Sequence, residues 1–176
     1  KFFSFSYIHG KMLHKAIISD SLTDALSDKY FVYHRFGFDF SKHLQLGFGE
    51  TVMYSGRSLD LSYLNPFSFF KSIEHYNRDR ENPMMFIDFR NQSIEGLTLF
   101  GEFLIDDIHF DKIGSGWYGN KTLLNIGAHA NLLYPELPVD LKFQYIRIEP
   151  YVYTHKINSN SYTHLGGGLA DPLNPN

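Results

Sequence analysis

Apolar and polar residues alternate with a period of two along most of this chain, in runs of roughly ten residues, the period of a β-strand rather than a helix. The clearest run is 30–40. Tyr30, Val32, Phe36, Phe38 and Phe40 fall on one side, interrupted by His34. Lys29, Tyr33, Arg35, Gly37 and Asp39 take the other, with Phe31 as the exception. Ser41-Lys42-His43 is a short polar connection before the apolar pattern returns over 44–54, which predicts a hairpin. Over 97–110, Leu97, Leu99, Phe103 and Ile105 share a side with Gly101, while Thr98, Glu102 and Asp106 share the opposite one. In 121–134 the even positions Leu124, Ile126, Ala128, Ala130 and Leu132 are apolar, and Asn125, His129 and Asn131 are polar. The run 84–91 puts Met85, Ile87 and Phe89 outward, with Asp88 and Arg90 on the other side. Over 141–155 the parity slips near Ile146, which predicts a bulge or the crossing of an interface.

With a first run at Phe2–Ile8, the pattern gives about seven strands. Each is near the ~9–11 residues that a tilted strand needs to cross a bilayer, longer than is usual in soluble sandwiches. Two segments break the alternation. Ser19–Asp28 has helix-forming character between Ser and Asp caps. Asn65-Pro66 before 67–74 fits an N-cap followed by Pro at the first helical position, and so predicts a short amphipathic helix. The expected fold is all-β: an antiparallel transmembrane β-barrel fragment of about seven strands with one or two short helices. Lys1 is followed directly by a strand-like run, with no initiator Met or signal peptide, and 170–176 reads as an open loop. Residues 1–176 are therefore expected to be part of one outer-membrane barrel domain, incomplete at both ends.

Composition sharpens this reading. Aromatics make up 17% of the 176 residues, with 17 Phe and 12 Tyr, while the hydrophobic fraction is only 43%. Strands with one face in lipid and one in water average to such a profile. No run approaches the ~18 apolar residues of a membrane helix. A net charge of −3 argues against binding nucleic acid through phosphate contacts. The absence of cysteine excludes a disulfide scaffold and thiolate metal sites.

Candidate chemistry is sparse. Glu102, Asp106 and Asp107 are the densest carboxylates. Glu102 and Asp106 lie four apart on a strand, so they point the same way about 13 Å apart at ~3.3 Å per residue. That exceeds the ~5–9.5 Å of glycosidase pairs, and carboxylates holding basic partners or sugar hydroxyls are the better reading. The nine histidines are scattered without metal-ligand spacing. Gly114-Ser115-Gly116-Trp117-Tyr118-Gly119 lies between two strands and holds the single Trp. It can act as an interfacial aromatic anchor or offer rings to a sugar. The candidate binding residues are Arg90, Glu102, Asp106, Asp107, Trp117 and Tyr118, and no catalytic set, cofactor or metal is expected.

Leu46-Gly47-Phe48-Gly49-Glu50, Tyr54-Ser55-Gly56-Arg57 and Tyr63-Leu64-Asn65-Pro66 resemble the pattern of the Wzi-type capsule assembly proteins. Gly101-Glu102-Phe103-Leu104-Ile105-Asp106-Asp107 and Tyr162-Thr163-His164-Leu165-Gly166-Gly167-Gly168 resemble the same family, so the likeness spans about 30–168. The resemblance implies a non-catalytic, lectin-like barrel in the bacterial outer membrane that anchors capsular or exopolysaccharide. Its expected partners are that polysaccharide and outer-membrane lipid, with no nucleic acid, and the barrel is expected to be monomeric. A general porin or transport barrel is the alternative, and a polysaccharide-modifying enzyme is a third reading.

Overall fold

The computed structural model describes residues 2–12, 28–131, 136, 138–164 and 167–169. Seven strands form one sheet in sequence order: β1 (Phe3–Met12), β2 (Lys29–Ser41), β3 (Leu44–Ser55), β4 (Asn82–Ile94), β5 (Leu97–Asp107), β6 (Lys121–Ala130) and β7 (Leu141–Ile148). The last four pair antiparallel. A two-stranded ladder joins β8 (Thr163–His164) to β9 (Gly167–Gly168). The sheet is not closed: among the described residues β1 and β7 are its edges. Among the described residues one α-helix, α1 (Phe70–Tyr76), follows a helical turn at Leu61–Leu64. No helix among the described residues is long and apolar enough to cross a membrane. The predicted helix over Ser19–Asp28 falls almost wholly outside the described residues.

The described residues divide into two compact units, one within 1–6, 35–49 and 85–152, the other within 7–34, 50–84 and 153–176. In the first unit, cross-strand register sorts the side chains onto two unlike faces. Ile87 lies opposite Phe103, Phe103 opposite Leu124 and Leu124 opposite Arg147. One level along, Phe89, Gly101, Ile126 and Tyr145 line up, and then Leu99, Ala128 and Phe143. This face is almost wholly apolar and yet exposed, with Phe143 at 67% and Ile87 at 59%. Phe38, Phe40, Leu46 and Phe48 extend it, lining one open depression with Ile87 and Phe89. Phe36 stacks on Phe48 with ring centroids 5.2 Å apart, and Phe5 sits 4.9 Å from Phe36. The opposite face carries Arg35, Asp88, Glu102, Asn125 and Gln144, and toward one end the buried row Phe86, Leu104 and Leu123.

The second unit has a conventional core. Tyr30, Val32, Val52, Tyr54, Tyr63 and Phe70 are buried together. Tyr54 stacks between Tyr30 (4.9 Å) and Tyr63 (5.4 Å). Offset-parallel rings at these spacings gain quadrupole attraction beyond their buried area. Helix α1 is held to this core by a carboxylate. Glu50 of β3 accepts from the backbone N–H groups of Phe70 (2.8 Å) and Lys71 (3.3 Å), two of the donors that a helix start leaves unpaired. The 158–164 segment is fixed by Lys29, whose Nζ donates to the carbonyls of Ser161 and Thr163 at 2.5 Å. Tyr162 adds a hydroxyl bond to the Asn82 carbonyl at 3.1 Å.

Three sequence expectations need correcting. The helix does not begin at Pro66. Asn65 Oδ1 accepts from the Phe67 N–H (3.1 Å), and the Ser68 N–H reaches the Asn65 carbonyl (3.2 Å). Asn65–Ser68 is thus a turn, and the helix starts where the Glu50 carboxylate waits for its first amides. The parity slip near Ile146 is no bulge either: β7 pairs with β6 in unbroken register from Leu141 to Ile148 and ends there. Tyr151 and Tyr153 beyond it have φ of 67° and 73°, a left-handed backbone incompatible with a strand. β5 likewise stops at Asp107 rather than at 110.

Candidate functional site

The polar face of the first unit is organised around one ion pair. Arg35 Nε donates to Asp88 Oδ2 at 2.8 Å, and Arg35 Nη2 to Asp88 Oδ1 at 2.6 Å. This is the bidentate fork–fork geometry, the stronger form of charged hydrogen bond. The two residues are not on neighbouring strands: β3 lies between β2 and β4. Gly47 of β3 makes the reach possible, since a Cβ there would collide with the Arg35 guanidinium and the Asp88 carboxylate. Gly37 clears the other flank, where a Cβ would run into Arg35 and the Ser4 hydroxyl.

From Asp88 a row of polar side chains crosses the sheet. Glu102 is the cross-strand partner of Asp88, and Asn125 that of Glu102. Gln144 Nε2 then donates to Asn125 Oδ1 at 2.9 Å. Arg90 stands one step along the same face, opposite Phe100, and is exposed. His129, Lys142 and Thr98 share this face further along, with the Lys142 ammonium 5.9 Å from the Phe100 ring. Such a surface offers alternating donors and acceptors to hydroxyls or hydrated ions.

The six sequence-predicted residues do not form one cluster. Arg90 and Glu102 share the polar face, and Asp106 follows at the same parity, buried where the β5–β6 register shifts. Asp107 is exposed across from Lys121, beyond that irregularity. Trp117 and Tyr118 lie in the 108–120 connection between β5 and β6. That loop is closed by Asn120, whose Oδ1 accepts from the His109 N–H at 2.7 Å while its Nδ2 donates to the His109 carbonyl at 3.3 Å. The Trp117 ring covers Gly119, where any Cβ would strike it, and meets His109 edge-on at 4.6 Å. Tyr118 is largely exposed, 6.4 Å from Tyr151. The loop presents a short row of rings, with Trp117 half-buried.

The sequence reading missed the central pair. Arg35 and Asp88 each showed as a polar residue in an apolar run, and the glycines at 37 and 47 were the signal that something bulky passes over them. It also missed the polar groups of the second unit. There Arg57 Nη2 pairs with Asp60 at 2.7 Å and with the buried Glu81 carboxylate. Burial opposes the charge on Asp60, yet hydrogen bonds from the Ser62 hydroxyl and N–H, with Arg57 nearby, hold its carboxyl below the ordinary range. Burial also pushes the Tyr63 hydroxyl far up. Glu74, His75 and Asp79 place one possible ligand atom each within 4.8 Å of one another. His75 is already paired with Asp79 (2.8 Å), and the Lys71 ammonium lies 2.7 Å from Glu74, so the arrangement reads as an ion-pair set.

Compared with family models, curated proteins and solved structures, the chain matches none.

Proposed function

We propose that this sheet is wall material of a bacterial outer-membrane β-barrel that binds or anchors surface polysaccharide without catalysis. The observation that carries the reading is the continuous apolar face that the first unit leaves exposed. Across the sheet the apolar face is the exposed one, and the polar face holds the ion pair and the amide row. Monomeric soluble proteins rarely expose an apolar patch this continuous. In a membrane barrel the same arrangement is required, with apolar side chains toward lipid and polar ones toward the lumen. Open edges are not tolerated in hydrocarbon, so β1 and β7 need further strands to pair with.

The polysaccharide role is supported by the Wzi-like motifs, and by a polar face and an aromatic loop suited to hydroxyls and sugar rings. Retention of the full-length protein on immobilised capsular or exopolysaccharide tests it. Binding above that of an unrelated barrel is expected, and equal retention would remove the lectin role while leaving the barrel intact. The polar face also suits a porin, the second reading. Stepwise conductance in planar bilayers, with no polysaccharide retention, would favour it.

A further inference from the structure

In the first unit the two ends of the sheet are built differently. β4 to β7 run antiparallel, so the β4–β5 and β6–β7 connections share one end and the β5–β6 connection takes the other. The turn Lys42-His43 belongs to the first of these ends, since the His43 carbonyl accepts from the N–H of Gln92, near the close of β4, at 2.7 Å. This end is low and tied together. Ser41 Oγ accepts from the N–H groups of His43 and Leu44, both at 3.1 Å, and closes the β2–β3 hairpin. Glu95-Gly96 closes the β4–β5 hairpin, with Gly96 at φ 74°, the left-handed backbone that so tight a turn favours. The Gly96 carbonyl accepts from the Asn131 N–H at 2.7 Å, and the Phe2 carbonyl from that of Asp39 at 2.9 Å.

The opposite end carries a longer excursion with structure of its own. Within 108–120 the Lys112 carbonyl accepts from the Ser115 N–H (3.1 Å) and hydroxyl (2.7 Å), and the Trp117 carbonyl from the Asn120 N–H (3.1 Å). Phe110, Ile113 and Tyr118 stand exposed on it, and the exposed Tyr151 ring lies 6.4 Å from that of Tyr118. The connections that follow β1 and β3, over 13–28 and 56–81, are longer still. Each of these three exceeds every connection of the turn end, where 131–140 is the longest. Strand pairing does not demand the extra chain, because antiparallel neighbours can be joined by a two-residue hairpin. Bacterial outer-membrane barrels have this asymmetry as a rule, with short turns on the periplasmic side and longer loops outside.

We infer that the sheet crosses the outer membrane in one direction, with Lys42-His43 and Glu95-Gly96 toward the periplasm and the 108–120 loop on the cell exterior. That loop, with Tyr151 beside it, is then the surface presented to polysaccharide. Tyr118 and Tyr151 each offer an apolar ring with a hydroxyl tip, a pairing that suits the faces and hydroxyls of a sugar. The inference rests on the barrel and polysaccharide readings, and adds to them the direction of the strands and the rim that meets the ligand.

The test places single cysteines in the full-length protein as Lys42→Cys, Glu95→Cys and Asp111→Cys, all at exposed positions. Intact cells are treated with a maleimide too large to pass the outer membrane, with the unaltered protein as background. Asp111→Cys is expected to label in intact cells, and Lys42→Cys and Glu95→Cys only after the outer membrane is permeabilised. The reverse pattern, labelling of both ends in intact cells, or none at Asp111→Cys would overturn the direction. Urea extraction of the same membranes separates this from the barrel reading. Protein that stays in the membrane with the reverse pattern sinks the direction alone, and protein released by urea sinks the wall itself. The loop surface is read by retention on immobilised polysaccharide. The Tyr118→Ser/Tyr151→Ser variant is expected to lose retention and Lys42→Ser/Glu95→Ser to keep it. Retention kept by the tyrosine variant, or lost by the turn variant alone, would overturn the loop assignment, whereas no retention by the unaltered protein would sink the lectin reading.

Discussion

Gly47 carries more of this structure than its size suggests. Arg35 and Asp88 meet across the intervening strand only because position 47 has no side chain. Gly47→Val is therefore expected to break the pair as effectively as Arg35→Ala does. Each should cost on the order of 1–3 kcal/mol by leaving a half-buried charge unpaired. The Arg35→Ala/Gly47→Val double variant should cost clearly less than the sum, a coupling measurable by unfolding in urea. Additive costs would mean that the glycine has another job. Parity alone placed both charged residues on the polar side. Their pairing was not legible, since strand pattern reports faces and not which residues lie two strands apart. A second residue-scale expectation concerns Glu74, whose carboxyl is pushed up from its ordinary 4.5 by burial. The folded state then holds this proton more tightly than the unfolded chain. Stability should fall as pH rises from about 4.5 through the raised value, and Glu74→Gln should flatten that part of the pH–stability curve.

Among the elements, the strands were the most legible. β2 and β3 extend to within a residue of the alternation that announces them, because one face of each is apolar but for a single residue, His34 in β2 and Glu50 in β3. The ends were harder to read. The backbone turns left-handed at Tyr151 and Tyr153, residues that carry no turn signature of their own. Helix α1 was displaced for a tertiary reason. Local rules favoured Asn65-Pro66 as its start, but the donors at Phe70 and Lys71 have their acceptor on β3, twenty residues back. Glu50→Gln should weaken this cap by roughly 1–2 kcal/mol, since a charge-assisted contact becomes a neutral one. Faster amide exchange at Phe70 and Lys71 in that variant, with β5 and β6 unchanged, is the expected signature. Uniform acceleration across all three elements would instead show a global loss of stability.

For the whole molecule, the prediction concerns which medium each face of the sheet meets. Composition already pointed to two unlike faces, and the cross-strand register supplies their membership. If the apolar face lies in lipid, Ile126→Lys should cost ~2–4 kcal/mol near the bilayer midplane, and Asn125→Lys on the other face well under half of that. In a soluble sheet packed on an unseen partner, the lysine would weaken association and leave stability in detergent unchanged. The 176 residues contain no cysteine, so none of these strands adds a competing label. The most direct measurement attaches a fluorophore to single cysteines at Leu124, Asn125, Ile126, Ala128, His129, Phe143 and Gln144 of the full-length protein in bilayers. Quenching by brominated lipid is then read at each site. Strong quenching at 124, 126, 128 and 143, and weak quenching at 125, 129 and 144, is the result expected for a lipid-facing apolar wall. Uniformly weak quenching, or no alternation along β6, would contradict it.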